Sequence, residues 1–285
     1  MQEHLGKEEE MAAKRYRFAD APMFSWVLTH DEGLCADVIG TILGMPIEGI
    51  EASEPEASEI PLPASHGVRF DVKARNREAV FDVEMQIAAR PDLARRARYY
   101  QAAMDVTELR RSKSYRLLPE SYVIFICVGD FFKEGLGRRS FKMRDDLGAE
   151  LRDGRTAIFL SARNYGTIED EGLSRLLRYV LDGHVGQDPL AARIQAAVDM
   201  ANDDEEAIMY MSDKDELVSL QEDFQNLADE ADAMRDEIES KRAEIESKRA
   251  EIESKRAEIE AKDAEIEAKD AEIERLKAEL AAARA

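Results

Sequence analysis

A strict seven-residue repeat governs the C-terminal part of the chain. The heptad Ile-Glu-Ser-Lys-Arg-Ala-Glu occurs three times from Ile238, and Ile-Glu-Ala-Lys-Asp-Ala-Glu follows twice from Ile259. Such a repeat predicts a long helix with isoleucine at the a position of a coiled coil. The same register continues upstream with apolar residues at both seam positions: Leu217, Phe224 and Ala231 at a, and Leu220, Leu227 and Met234 at d.

The seam becomes thin from Ile238 onward, because lysine takes the d position in five consecutive heptads until Leu276. Glutamates four residues before those lysines, beginning with Glu244 and Lys248, stabilise a single helix by about 0.2–0.5 kcal/mol per pair. Residues 238–276 therefore fit either a coiled coil or a single charged helix. We predict that residues 212–285 form a parallel coiled coil, nucleated by 217–238, which makes the protein a homo-oligomer or acts as a spacer.

The acidity of the chain is concentrated in this tail. The net charge is −21, but residues from Ala201 onward contain 28 acidic and 13 basic side chains, so the first 200 residues carry only −6. A global acidic charge therefore does not exclude a nucleic-acid partner for the rest of the chain. We predict a globular domain over residues 14–211, preceded by a polar, frayed or disordered segment at 1–13.

The chain carries the signs of a cytoplasmic protein. Cys35 and Cys127 are its only cysteines and lack metal-ligand spacing, which favours two buried reduced thiols. No apolar run reaches the roughly 20 residues of a membrane helix, and the first residues lack a signal-peptide core. Motifs of P-loop NTPases, zinc proteases and serine esterases are absent as well.

The segment 67–87 carries the strongest functional signal, because it reads as two alternating strands joined by a polar turn at 75–78. Its polar positions share one face: Asp71 and Lys73 on the first strand, and Asp82, Glu84 and Gln86 on the second. A hairpin brings Asp71 alongside Glu84, and two carboxylates suit Mg²⁺ or Mn²⁺ better than zinc. The alternative is the solvated outer face of an ordinary antiparallel hairpin.

The pattern of Asp71 followed by Glu84-Met85-Gln86 resembles the D…ExK core of the PD-(D/E)XK nucleases. It is most similar to the Rpn family of recombination-promoting nucleases, also called transposases, in which a V-E-M-Q-type strand is usual and glutamine likewise replaces lysine. Arg98-Tyr99-Tyr100 resembles the R-x-x-Y-Y region of that family. The resemblance implies an α/β, restriction-endonuclease-like fold: a mixed sheet flanked by helices, here followed by the helical coiled coil.

The resemblance also implies a Mg²⁺-dependent DNA endonuclease with a role in recombination. Asp71 and Glu84 would hold the metal, with the main-chain carbonyl of Met85 as a further ligand, and the metal would polarise the phosphate and lower the pKa of the attacking water. Gln86 can orient that water but supplies no charge. Lys73, on the face of Asp71, is a candidate for the missing cation; its alternative is a solvent-facing strand residue.

A basic run follows this strand, with eight Lys and Arg against three acidic residues between 90 and 116. We expect a helix from Pro91 to about Arg111, whose basic positions contact the DNA backbone or form a solvated face. The predicted DNA-binding residues are Arg95, Arg96, Arg98, Arg110, Arg111 and Lys113.

Further helices are expected over 20–43, interrupted near 31–33, and over 171–181, 190–200 and 205–211. Strands are expected over 121–132 and 156–162, and loops over 45–65 and 133–155. Two other functions stay open. One is a nuclease-like module that binds DNA or a protein without cutting, although both metal carboxylates are present. The other is a coiled-coil scaffold whose globular domain caps an assembly.

Overall fold

The computed structural model describes residues 14–52, 58–59, 68–87, 92–109 and 112–284. The chain divides into two compact units, one up to Glu216 and one from Leu217 onward. The predicted frayed segment 1–13 lies outside the described residues.

The first unit is built on a mixed six-stranded sheet with the strand order β1-β4-β5-β6-β8-β7. A hairpin joins β4 to β5, β5, β6 and β8 run parallel, and β7 adds an antiparallel edge; β2 and β3 pair separately. The strands are β1 Glu51–Ala52, β2 Ser58–Glu59, β3 Val68–Arg69, β4 Val72–Arg75, β5 Ala79–Gln86, β6 Glu120–Cys127, β7 Arg138–Phe141 and β8 Arg155–Ser161. This is the mixed sheet that the sequence predicts.

Helices cover both faces of the sheet. Apolar side chains of β5 such as Phe81, Val83 and Met85 belong to a large core with four helices: α1 Ala21–His30, α2 Glu32–Leu43, α4 Glu171–Asp182 and α5 Pro189–Asn202. The other face packs on α3, Leu93–Glu108, through a second core that includes Leu93 and Phe125. Asp31 separates α1 from α2, because it caps α2 by accepting a hydrogen bond from the Leu34 N–H at 2.8 Å.

Three predictions, two of them loops and one a strand, were wrong. The predicted loop 45–65 contains β1 and β2, and the predicted loop 133–155 contains β7. These strands were missed because β1 and β2 have two residues each and β7, Arg-Arg-Ser-Phe, lacks apolar alternation. The first strand of the predicted hairpin is also not continuous, since it ends at Arg69, bends, and resumes at Val72.

The last helix, α6, runs from Glu205 to Arg284, so the predicted segment 205–211 is the start of a longer element. Its repeating isoleucines, from Ile238 to Ile273, are about half exposed. Glu-to-Lys pairs such as Glu244–Lys248 and Glu251–Lys255 lie at 2.5 Å, as the charge pattern predicts. The helix is therefore confirmed, while self-association stays a prediction.

Both cysteines are buried as free thiols, as expected. Among the described residues, no helix is long and apolar enough to cross a membrane.

Candidate active site

The hairpin register places Asp71 beside Glu84. Val72 pairs with Val83 across β4 and β5, so the residue before Val72 meets the residue after Val83. The Asp71 N–H donates to Glu84 Oε1 at 3.0 Å, and the Met85 N–H donates to Asp71 Oδ2 at 2.9 Å. Ser25 Oγ on α1 holds the Asp71 carbonyl oxygen at 2.5 Å. The two predicted metal carboxylates are thus brought together and fixed in orientation.

The bend at Asp71 leaves the end of β5 unpaired on its β4 side. The Gln86 carbonyl accepts from the Val128 N–H at 3.0 Å, towards β6. Because peptide groups alternate along a strand, the N–H and carbonyl of Met85 point the opposite way, towards Asp71. The carbonyl that the resemblance assigns to the metal therefore lies on the same edge as the two carboxylates.

The acidic face of β5 is buried. Asp82 is 0% exposed and Glu84 is 1% exposed, because α3 covers this face of the sheet. The alternative of a solvated hairpin face is therefore wrong. No N–H or O–H of the described residues donates to either carboxyl oxygen of Asp82, and its one hydrogen-bonding neighbour is the Glu84 carboxyl, with which it can share a proton. The 82-84-86 alternation places Asp82 on this face, but the nuclease pattern assigns it no role in the site.

Burial raises the pKa values of all three carboxyl groups, and repulsion by neighbouring acids adds to this shift for Asp71 and Asp82. Burial, reinforced by the charge of Glu84, raises the pKa of Asp71 well above its ordinary value. Burial and the charges of Glu84 and Asp71 do the same to the pKa of Asp82. Burial also raises the pKa of Glu84, although the Arg96 guanidinium opposes this shift. A metal-free site therefore retains protons that isolated carboxyl groups would lose.

Arg96 lies inside the site. Its Nη2 donates to Glu84 Oε2 at 3.2 Å and to the Tyr100 hydroxyl oxygen at 2.8 Å, while its Nη1 donates to Gln86 Oε1 at 3.2 Å. Arg96 is one of the predicted DNA-binding residues, and its contact with the carboxylates is not part of that prediction. A usable signal was the four-residue spacing of Arg96 and Tyr100, which puts both on one face of the helix.

Lys73 lies deeper in the same face. Its side chain is only 11% exposed and its Nζ is 3.4 Å from Glu108 Oε1 on α3. It stands opposite Asp82 in the hairpin register, two pairs further from the end of β5 than Asp71 and Glu84. The alternative of a solvent-facing lysine is therefore wrong, and its role as the catalytic cation stays a prediction.

The predicted DNA-binding residues fall into three groups. Arg95 and Arg98 are exposed on α3, and Lys113 is exposed shortly after it. Arg96 points to the carboxylates. Arg110 and Arg111 lie outside the described residues. Contact with DNA stays a prediction for all of them.

The donors at this edge suit a hard divalent cation. Carboxylate and carbonyl oxygens are the ligands that Mg²⁺ and Mn²⁺ prefer, and the Asp82 carboxyl is buried beside Glu84 without a donor from the described N–H and O–H groups. Within the described ranges, however, no three His, Cys, Asp or Glu side chains are already arranged as a metal site. The chemistry fits the metal, while one Glu84 oxygen is bonded to Arg96.

Comparison with known families adds an independent finding. The model of the PD-(D/E)XK nuclease family transposases matches residues 30–182, which is more than half of the chain. The matched region includes Asp71, Glu84 and Arg96. Searches of curated proteins and of solved structures found no match.

Proposed function

Because this chain belongs to the PD-(D/E)XK nuclease family transposases, we propose that it is a metal-dependent endonuclease that hydrolyses phosphodiester bonds in DNA. The observation that carries this proposal is the pairing of Asp71 with Glu84 at the unpaired end of β5, each held by a main-chain N–H. Mg²⁺ or Mn²⁺ is the proposed cofactor.

The bound cation supplies charge to the scissile phosphate and lowers the pKa of the attacking water. The protein's part is to fix the oxygen ligands: the Met85 N–H orients Asp71, and the Asp71 N–H orients Glu84. The neutral amide of Gln86, half-buried at the end of the strand, is suited to orienting water. Since α3 closes the acidic face, the carboxylates act in a medium of low dielectric, where their charges interact strongly with a cation.

The exposed basic residues of α3 support DNA as the substrate. Arg95 and Arg98 stand on the helix that also carries Arg96 into the site. In the described part of the chain, neither has an acidic partner within ion-pair distance. Both are therefore available to neutralise phosphates, which would release counterions and make binding salt-dependent.

Plasmid cleavage in Mg²⁺ or Mn²⁺ tests this proposal. We expect nicking or linearisation by the wild type, and a loss of at least about 100-fold in Asp71→Asn, in Glu84→Gln and in EDTA. The exposed carboxylate of Glu171 provides a matched control, and Glu171→Gln is expected to cut like the wild type. The divalent metal should also raise the melting temperature of the wild type, and Glu84→Gln should abolish that shift.

A DNA- or protein-binding module without activity is the second candidate. The neutral Gln86 and the Arg96 guanidinium bonded to Glu84 are the observations that favour it. In that case the wild type would bind DNA but would not cut it in any divalent metal. Unchanged melting in saturating metal, together with an absence of DNA binding, would instead favour the scaffold role.

A further inference from the structure

The proposed nuclease site lacks a positive charge at position 86, where the PD-(D/E)XK pattern has lysine. Hydrolysis of a phosphodiester builds negative charge on the phosphate oxygens and on the leaving oxygen. Gln86 can donate a hydrogen bond from its amide, but it carries no charge to stabilise that build-up. Any positive charge beyond that of the metal has to come from a side chain elsewhere in the site.

The Arg96 guanidinium hydrogen-bonds to Gln86. Its Nη1 lies 3.2 Å from Gln86 Oε1, and its Nη2 lies 3.2 Å from Glu84 Oε2. Its side chain is 22% exposed and that of Glu84 is 1% exposed, so Arg96 is the member of this pair that solvent, and a phosphate, can contact.

The guanidinium is held in place before any substrate arrives. Nη2 donates to the Tyr100 hydroxyl at 2.8 Å, and the group lies 5.2 Å from the Tyr100 ring centre and 5.7 Å from that of Phe125. An arginine guanidinium keeps its positive charge at any physiological pH. A fixed charge is more effective than a mobile one, since it needs no reorganisation during the reaction.

Lys73 is less suited to this role. Its Nζ lies 3.4 Å from Glu108 Oε1, and it is opposite Asp82 rather than at the end of β5. Its exposed side-chain fraction, 11%, is half that of Arg96. The position of Lys73 favours neutralisation of the buried acidic face over contact with a phosphate.

We propose that Arg96 is a catalytic residue that supplies the positive charge missing at position 86, with Gln86 and Tyr100 positioning its guanidinium. The assignment depends on the proposed nuclease function. It also gives Gln86 a second task, because the amide oxygen accepts from Arg96 while the amide N–H groups stay available to the substrate or water.

A charge-relocation experiment in the full-length protein tests the assignment. Arg96→Gln is expected to lower kcat for plasmid cleavage by about 10²–10³-fold with a smaller change in KM. The double variant Gln86→Lys/Arg96→Gln moves the charge to the strand and is expected to regain at least tenfold of that loss. Arg178→Gln is the matched control, because Arg178 is also a helical arginine, on α4, with a tyrosine ring (Tyr165) and an acid (Asp182) beside it. The kcat of this variant should equal that of the wild type.

Two measurements without turnover separate catalysis from folding. Metal-free Arg96→Gln should melt at a lower temperature than the wild type, because buried Glu84 loses its cation, and the double variant should recover part of the difference. Calorimetric titration with Ca²⁺ should show that Arg96→Gln still binds metal. If Arg96→Gln does not fold, Tyr100→Phe tests the same role, because it removes the hydroxyl that holds the guanidinium. We expect this variant to have a kcat reduced several-fold and an unchanged KM.

The outcomes distinguish this assignment from the function on which it depends. Wild-type cleavage with kcat of Arg96→Gln within threefold of it overturns the role of Arg96 and leaves the nuclease function standing. A loss in Arg96→Gln that Gln86→Lys does not reduce overturns the relocation of charge. Absence of cleavage by the wild type overturns both.

Discussion

Asp82 lies in an unfavourable environment in the metal-free protein. It is fully buried on the same face as Asp71 and Glu84, no N–H or O–H of the described residues donates to it, and the Glu84 carboxyl is near enough to share a proton with it. A buried ionised carboxyl without a partner is strongly disfavoured, so the proton is retained and the pKa is raised. The folded state therefore holds a proton that the unfolded chain releases.

This proton makes the stability of the metal-free protein pH-dependent. A group whose pKa is raised by folding contributes stability below its ordinary pKa, and that contribution is lost as the pH rises through the folded pKa. In EDTA we expect the wild type to melt at a lower temperature at about pH 8 than at about pH 5. Asp82→Asn replaces the acid by an amide of the same shape as its protonated form, so it should be more stable than the wild type at the higher pH by about 1–3 kcal/mol.

Thermal melting followed by circular dichroism at both pH values measures this difference. Glu171→Gln, an exposed change, should follow the wild type at both. An Asp82→Asn variant that is no more stable at the higher pH, or that gains equally at both, would contradict the retained proton.

The sequence is informative about residues within one element and much less about residues on different elements. Period-2 alternation places Asp71, Glu84 and Gln86 on one face, and the hairpin register agrees. Arg96 could not be connected to them, because its contact depends on how α3 is rotated about its axis against the sheet. That rotation is set by tertiary packing of Leu93, Ala97 and Met104, not by a local pattern.

At the scale of elements, β5 is correctly predicted as a strand, but the exposure of its polar face is not. Seven of its eight residues are buried, including the polar positions Asp82 and Glu84. Strict alternation normally indicates one solvated face, but α3 covers the polar face here. The covering helix is itself basic, so the acidic strand and the arginine-bearing helix compensate each other in charge.

The opposite side of α3 carries a prediction about DNA. Arg95 and Arg98 are exposed and three residues apart, so they project from one face of the helix. The variant Arg95→Gln/Arg98→Gln should bind DNA more weakly at low salt, with the slope of log K against log salt reduced by about 2. Fluorescence anisotropy with labelled duplex in Ca²⁺ measures both effects without cleavage.

Arg178→Gln/Arg193→Gln on α4 and α5 serves as the control for equal loss of charge. If it weakens binding to the same extent, the effect is general electrostatics and α3 is not the DNA-binding surface. An unchanged salt slope in the α3 variant would contradict phosphate contacts by Arg95 and Arg98.

At the scale of the whole molecule, the heptad repeat predicts its structure directly. Each heptad has the same sequence-local environment as the next, so what favours a helix in one favours it in all, and α6 is helical throughout the repeat. The edge strands β1, β2 and β7 were not predictable, because their short segments are specified by neighbouring strands and not by their own alternation.

The half-exposed isoleucine stripe of α6 leads to the last prediction. Ile245, Ile252 and Ile259 recur at seven-residue spacing and are 54–58% exposed. A stripe of this kind is buried when two such helices pair. We therefore expect light scattering to give the full-length protein at least twice the monomer mass, and the triple variant Ile245→Glu/Ile252→Glu/Ile259→Glu the mass of a monomer. Its helicity should persist, because the Glu-to-Lys pairs support the single helix.

The triple variant Ser240→Glu/Ser247→Glu/Ser254→Glu adds the same charge off the seam and should keep the wild-type mass. A monomeric wild type would mean that α6 is a single charged helix, and a loss of mass in the serine variant would assign the effect to charge alone.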